Sequence, residues 1–316
     1  MDSIEKAMFG RSLSSELPST AAVQPNLSKN TTKNSDIIER ATSVAIAPAI
    51  VRTAETTTNK RTQQSITLDM EWIRSAGLLV VDAQRSRIKE EYRHIKRSLL
   101  MNIDGRGATL VKHANLIVVT SARPGEGKTF TACNLALSIA AERDRTVLLV
   151  DADVLRPSVE KTLGFEAERG LVDFLIDDQL ELADVLMSTN IPGLTVLSAG
   201  STHHLSSELL ASDNMRRLTG EMSQRYPDRI IIFDAPPLLA TTEASILTGL
   251  MGQVVMVVEA GRTAQSQVKE ALAMLAPDQI IGFVLNKTRD FFASDRSGYG
   301  YGYHYSPNSG ENFQER

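Results

Sequence analysis

Leu116-Ile-Val-Val-Thr-Ser-Ala-Arg-Pro-Gly-Glu-Gly-Lys-Thr129 is the stretch from which the rest of the chain can be read. Its first five residues are apolar or β-branched and predict a strand buried on both faces. Pro124 and Gly125 then force a turn. From Lys128 to Ala141 the pattern turns helical. Gly127, Lys128 and Thr129 match the end of the template G-x-x-x-x-G-K-[ST], with Ala122 in place of its first glycine.

A strand before this loop and a helix after it is the setting in which backbone N–H groups and a helix N-terminus cradle phosphate oxygens. The loop is therefore expected to bind ATP and Mg²⁺ through Gly125, Glu126, Gly127, Lys128, Thr129 and Phe130. Lys128 would reach the β- and γ-phosphates, and Thr129 would ligate the metal. The plainer reading is a glycine-rich turn capping an ordinary helix; Lys-Thr directly after Gly127 weighs against it.

Working outward, short apolar runs alternate with helical patterns from Asn115 to Lys287. The runs are Leu116–Thr120, Thr146–Val150, Leu194–Leu197, Ile230–Phe233, Val254–Val258 and Ile281–Leu285. Between them lie predicted helices over Lys128–Ala141, Ser206–Tyr226, Thr241–Met251 and Ala264–Ala276, with Leu209 and Leu210 of the second expected in the core. Uniformly apolar strands separated by helices imply an α/β fold, a mostly parallel sheet with helices on both faces, here of the P-loop NTPase kind. Upstream, Leu68, Met70, Trp72 and Ile73 suggest a short amphipathic element. A helix over about 84–100 carries Ile88, Tyr92, Ile95 and Leu99 on one face and a strongly charged opposite face.

Two runs end in carboxylates. Thr146–Val150 leads into Asp151-Ala-Asp153 and then Arg156-Pro157; Ile230–Phe233 leads into Asp234-Ala-Pro-Pro237. Ligands of open α/β sheets sit at the carboxyl ends of the strands. Asp234, after four apolar residues, suits Mg²⁺ or its water. Asp151 and Asp153 share a face, which suits a metal ligand beside a base or nucleophile-orienting group. Helix capping is the alternative for this pair, and the upstream phosphate loop disfavours it.

The ends differ from the middle. Residues 1–66 are rich in Ser, Thr, Asn and Gln and read as a disordered arm; 67–287 read as the folded domain. Residues 288–316 read as a flexible tail, with four of the six tyrosines in Tyr299-Gly-Tyr301-Gly-Tyr303-His-Tyr305. That cluster is either a low-complexity tail without chemistry or, beside a phosphoryl-transfer site, a set of phosphate acceptors. No signal peptide or membrane span is read, so a soluble protein is expected. The single cysteine, Cys133, precludes an intrachain disulfide and reads as core. A net charge of −4 argues against a polycation that coats nucleic acid. His203 and His204 read as loop surface, since two adjacent histidines do not make a zinc set.

Together the motifs Ser121–Thr129, Val150–Pro157 and Ile232–Pro237 resemble those of bacterial tyrosine autokinases of the exopolysaccharide-synthesis type, in their stand-alone cytoplasmic form. Ser207–Ser212, Leu285–Lys287 and the tyrosine cluster add to the likeness, which covers about residues 66–305. The resemblance implies ATP-dependent autophosphorylation of Tyr299, Tyr301, Tyr303 and Tyr305 between neighbouring subunits of a ring. It assigns catalysis to Lys128, Asp151 and Asp153, the metal to Thr129, Asp151 and Asp234, and the adenine contact to Asn286. Ring assembly falls to Glu90, Arg93 and Lys96, where the family carries Glu-x-x-Arg-x-x-Arg; lysine lacks the planar fork of arginine. The implied partner is a membrane polysaccharide chain-length protein that activates the kinase at the inner face of the plasma membrane. A cognate tyrosine phosphatase also fits. The alternatives are a cell-division or partition-type positioning ATPase, whose loop lysine is replaced here by Arg123, and a non-catalytic nucleotide-dependent adaptor.

Overall fold

The run Leu116–Ser121 is buried at all its positions, as a strand between two layers of helices must be. The computed structural model describes residues 64–80, 86–107, 110–225 and 228–288. Almost all of the residues read as arm and tail, including Tyr299, Tyr301, Tyr303 and Tyr305, lie outside the described residues.

The chain begins with β1 (Gln64–Ile66), α1 (Met70–Ser75), α2 (Arg87–Ile103), β2 (Leu116–Ser121), α3 (Lys128–Ala140) and β3 (Thr146–Asp151). Next come α4 (Val159–Leu163), α5 (Leu171–Ile176), α6 (Leu182–Val185), β4 (Met187–Thr189), β5 (Leu194–Leu197), α7 (Ser206–Leu210) and α8 (Asp213–Arg225). The last elements are β6 (Arg229–Asp234), α9 (Thr242–Gly249), β7 (Gln253–Glu259), α10 (Gln265–Ala273) and β8 (Ile280–Asn286).

The strands form one eight-stranded sheet in the order β1-β4-β5-β3-β6-β2-β7-β8. All neighbours run parallel except β4 and β5. Alternate residues serve opposite layers. Leu116, Val118, Leu148, Val150, Ile231 and Phe233 face one core with α5 and α7 to α10. Ile117, Val119, Val147, Leu149, Ile230 and Ile232 face the other with α1 to α4. This period of two is what a sheet buried on both faces requires.

The structure departs from the sequence reading in three places. The helix expected over Ser206–Tyr226 is two helices, because Ser212 interrupts it: its hydroxyl donates to the Leu209 carbonyl and accepts from the Met215 N–H, capping α8. Leu209 is consequently half-buried, and Leu210 alone of the pair is in the core. The sheet also takes in Gln64–Ile66, from the end of the presumed arm, paired with β4, a strand that was not anticipated. In α2, Tyr92, Lys96 and Leu99 form the buried face, and Ser86 accepts from the Lys89 N–H at its start.

Candidate active site

The loop between β2 and α3 works only with glycine at position 127. Gly127 has φ +96°, and a Cβ there would lie 2.0 Å from the Asn286 amide nitrogen. Glycine thus supplies both the left-handed backbone and the room for a close approach. α3 begins at Lys128 with no side chain capping its first N–H groups, which leaves them available to an anion.

Register brings the acids together. In the β3–β6 ladder Asp151 is the direct partner of Asp234, so two carboxylates lie side by side at the carboxyl end of the sheet. Both are fully buried. Burial, and then the neighbouring Asp234 charge, push Asp151 up to about 7. Burial likewise raises Asp234 to about 6, although Lys128 and the Thr129 hydroxyl oppose it. Asp151 is held by the N–H groups of Ser158 and Val159, each at 2.9 Å on Oδ2, and by that of Asp153 at 3.1 Å on Oδ1.

Lys128 reaches into this acidic corner. Its Nζ lies 2.5 Å from Asp153 Oδ2 and 3.6 Å from Asp234 Oδ1. Burial would lower its pKa, but the Asp234 and Asp153 carboxylates outweigh that and hold it above the ordinary lysine value. The Thr129 hydroxyl donates to Asp234 Oδ2 at 2.6 Å and contacts the Ser158 hydroxyl at 2.8 Å. Asp234 Oδ1 is buried, and among the described residues it has no hydrogen-bond partner. An acceptor in that condition is costly unless something positive meets it. Thr129 and Asp234, with Asp151 behind them, therefore fit a divalent cation of the oxygen-seeking kind. A cavity of about 480 Å³ opens over Lys128, Thr129 and Asp153.

On the other flank the loop is tied down. Asn286 donates to the Glu126 carbonyl at 2.9 Å and Lys287 to the Gly125 carbonyl at 2.6 Å. The buried Glu126 carboxylate accepts from the Arg123 N–H at 2.7 Å and from the Thr263 hydroxyl.

A family model described as "ParA: NUBPL iron-transfer P-loop NTPase" matches residues 112–297. Tyrosine-protein kinase YwqD of Bacillus subtilis is 31% identical over 71% of this chain and 90% of its own length. Succinoglycan biosynthesis transport protein ExoP of Rhizobium meliloti is 30% identical over 73% of this chain but only 30% of its own. The chain also spans about a quarter of the Acinetobacter and Ralstonia tyrosine-protein kinases it matches. Among solved structures, the chimerical protein CapA2B2 superposes with a TM-score of 0.57 at 27% identity, over 70% of this chain and 99% of that one. The chain belongs to the bacterial tyrosine kinases. Its fold is that of the ParA-type P-loop NTPases, a nucleotide-binding fold.

In this tyrosine kinase the residues expected at the phosphate site, Lys128, Thr129, Asp151, Asp153 and Asp234, converge within one corner. Asn286 reaches the loop backbone, and its amide is engaged there. Of the expected assembly residues, Glu90 is half-buried and Arg93 exposed, and they pair with each other at 2.9 Å. Lys96 is buried; its Nζ donates to the Ser138 carbonyl at 2.7 Å and pairs with Glu142 at 2.6 Å. That carbonyl lies in the last turn of α3, so Lys96 caps the helix whose other end, at Lys128, is uncapped. Sequence reasoning missed Glu126 with Thr263, and Lys287 with Glu259, as loop supports; nothing local marks contacts between residues so far apart in the chain. His203 and His204 lie in a loop with their rings against one another, and among the described residues no set of three or more acids, histidines and cysteines is arranged to hold a metal by itself. No described helix is long and apolar enough to cross a membrane.

Proposed function

We propose that this chain transfers the γ-phosphoryl group of ATP to Tyr299, Tyr301, Tyr303 and Tyr305, presented by a neighbouring copy. The observation that carries this reading is Asp234 Oδ1, buried with no hydrogen-bond partner among the described residues and only a 3.6 Å ion pair to Lys128, beside Thr129 at the start of an uncapped helix. Lys128 and the loop N–H groups hold the phosphates and stabilise the charge on the transferring group. Mg²⁺ would be held by Thr129 and Asp234, with Asp151, whose oxygens already accept backbone N–H groups, adding negative charge behind them. The ion supplies charge neutralisation on the phosphates.

Polyphosphate binding at Lys128 draws it from Asp153, which then orients the incoming phenol or takes its proton. The Oη–P bond forms as the bond from phosphorus to the ADP oxygen breaks, and ADP leaves with that electron pair. Glu90 and Arg93 on the exposed face of α2 are the contacts for a ring of copies, with Lys96 anchoring that helix to α3. Activation by a membrane polysaccharide co-polymerase, reversal by a tyrosine phosphatase, and a role in exopolysaccharide export at the cytoplasmic membrane face complete the reading. The names of ExoP and of the CapA2B2 chimera support it.

The test is intact mass after incubation with ATP and Mg²⁺, alongside Lys128→Ala and a variant with the four clustered tyrosines changed to Phe. Phosphates on the unsubstituted chain only are expected. ATP turnover without phosphate on the protein, even with an activating co-polymerase segment present, would overturn the proposal.

A further inference from the structure

The cavity over the phosphate loop is not polar throughout. Beyond Lys128 and Asp153 its walls come from Pro124 and Phe130 and from the two loops that follow β3 and β6, and they are largely apolar. One wall is Leu155. The turn Asp153–Arg156 is closed by the Arg156 N–H, which donates to the Asp153 carbonyl at 3.0 Å and to its carboxylate at 3.2 Å. This turn holds Leu155 at its apex, 53% exposed, two residues from the acid. Leu155 lines a concave cavity in which apolar walls meet a few polar groups, the usual build of a ligand site.

A second wall is Pro236, Pro237 and Ala240. It is rigid. The Thr120 hydroxyl donates to the Pro236 carbonyl at 2.7 Å, and the Leu238 N–H donates to the Ser121 carbonyl at 2.8 Å. Prolines add little conformational freedom of their own. At the rim is Arg156, exposed, its guanidinium without an ion-pair or hydrogen-bond partner among the described residues.

The slot lies on the β3–β6 flank, where Asp153 and the orphaned Asp234 oxygen mark the transferring phosphoryl group. The kinase reading places the base end of the nucleotide on the opposite flank, toward Asn286. We infer that the slot between Leu155 and Pro237 is the acceptor site, which takes an aromatic ring of a tyrosyl peptide, and that Arg156 reads a negative charge two residues from the acceptor. This rests on the kinase reading above and deepens it. A phenol projects its hydroxyl from the far end of a flat ring, so a slot of this kind favours tyrosine over the short hydroxyls of serine and threonine. In an extended peptide, residues two apart lie on one side of the chain. The Tyr-x-Tyr spacing of Tyr299 to Tyr305 therefore brings a phosphotyrosine to Arg156 while its neighbour occupies the slot. Earlier phosphorylation would then favour later phosphorylation.

The experiment uses the full chain with the four clustered tyrosines changed to Phe as the enzyme, and synthetic peptides of residues 296–308 as acceptors. In these peptides Tyr303 is the sole acceptor, and position 301 is either Phe or phosphotyrosine. Leu155→Ala is expected to raise the peptide KM about tenfold, with the affinity for ATP, read by calorimetric titration, unchanged. The phosphotyrosine peptide is expected to bind roughly fivefold better than the Phe peptide. Arg156→Ala should erase that preference, and Arg156→Lys should keep part of it. Both side chains are exposed, so neither change threatens folding. A Leu155→Ala effect on ATP affinity in place of peptide KM, or transfer indifferent to both substitutions, would overturn this inference alone. No transfer to tyrosine by the unsubstituted chain would overturn the kinase reading and this inference with it.

Discussion

The two flanks of the phosphate loop are built on opposite principles. Toward β7 and β8 the polar groups meet within the chain: Glu126 with Arg123 and Thr263, Asn286 with the Glu126 carbonyl, Lys287 with the Gly125 carbonyl and Glu259. Toward β3 and β6, three buried carboxylates crowd one lysine, and one oxygen of Asp234 has no hydrogen-bond partner among the described residues. A satisfied network rigidifies, while an unsatisfied one is a strained place that a ligand relieves. The first flank holds the loop in shape, and the second is shaped for something that arrives.

The sharpest way to break this comparison is Asp234→Asn. The fold raises the pKa of Asp234, mainly by burial, so it prefers the neutral form, and asparagine is neutral at every pH. Phosphoryl transfer should fall by about a thousandfold or more as the proposed metal ligand is lost. Metal-free stability at pH 7.5 should rise by about 1–3 kcal/mol, since a pKa unit is worth about 1.4 kcal/mol. Single-turnover labelling and urea unfolding measure the two. A variant both inactive and less stable would show that this flank is not strained.

The opposite sign is expected across the loop. Glu126→Ala leaves the Arg123 N–H and the Thr263 hydroxyl without their acceptor in a buried place, and should cost about 2–3 kcal/mol. ATP affinity should fall with it, because the loop amides lose their fixed positions. Denaturation and titration calorimetry on one preparation test both, and a stable variant with weaker ATP binding would make Glu126 a ligand contact instead of a support. Lys287→Ala is the milder version. Its side chain is 45% exposed in the pair with Glu259. A loss of at most about 1 kcal/mol and a small rise in the KM for ATP are expected.

Legibility followed locality. The phosphate loop, the six long strands and the carboxylates at two strand ends are written in contiguous patterns, and the structure assembles them as those patterns imply. What the sequence concealed depends on partners elsewhere. β1 and β4 have three residues each, too short for a period, and exist through their pairing, β1 with β4 and β4 in turn with β5. Glu126 and Thr263 are 137 residues apart, and neither belongs to a pattern that points to the other. The break at Ser212 was written locally, as a serine three residues before Met215. The apolar spacing across it was nevertheless continuous enough to read as one helix. Lys96 shows the limit most plainly. Its place on a charged helix suggested an outward contact, and burial against the end of α3 turned it inward.

The seam between α2 and α3 supplies a baseline for the comparison, because a titratable group is buried there away from the acidic corner. Tyr92, on the buried face of α2, is pushed up to about 12, chiefly by burial, with Thr131 among the groups that hold it down. A phenol ionises near 10 in the unfolded chain. The folded state therefore keeps its proton over a range in which the unfolded state loses it. Stability from this group is full below pH 10 and is lost as pH rises through 10 toward 12. At pH 11 the loss amounts to about 1 kcal/mol. The stability difference between the wild type and Tyr92→Phe, followed by urea unfolding at pH 8 and pH 11, should shift by that amount in favour of the phenylalanine variant. A difference that does not move with pH would show that α2 lifts away from α3 and hydrates the phenol. Burial at the seam would then be too loose to serve as the reference against which the crowding at Asp151 and Asp234 is judged.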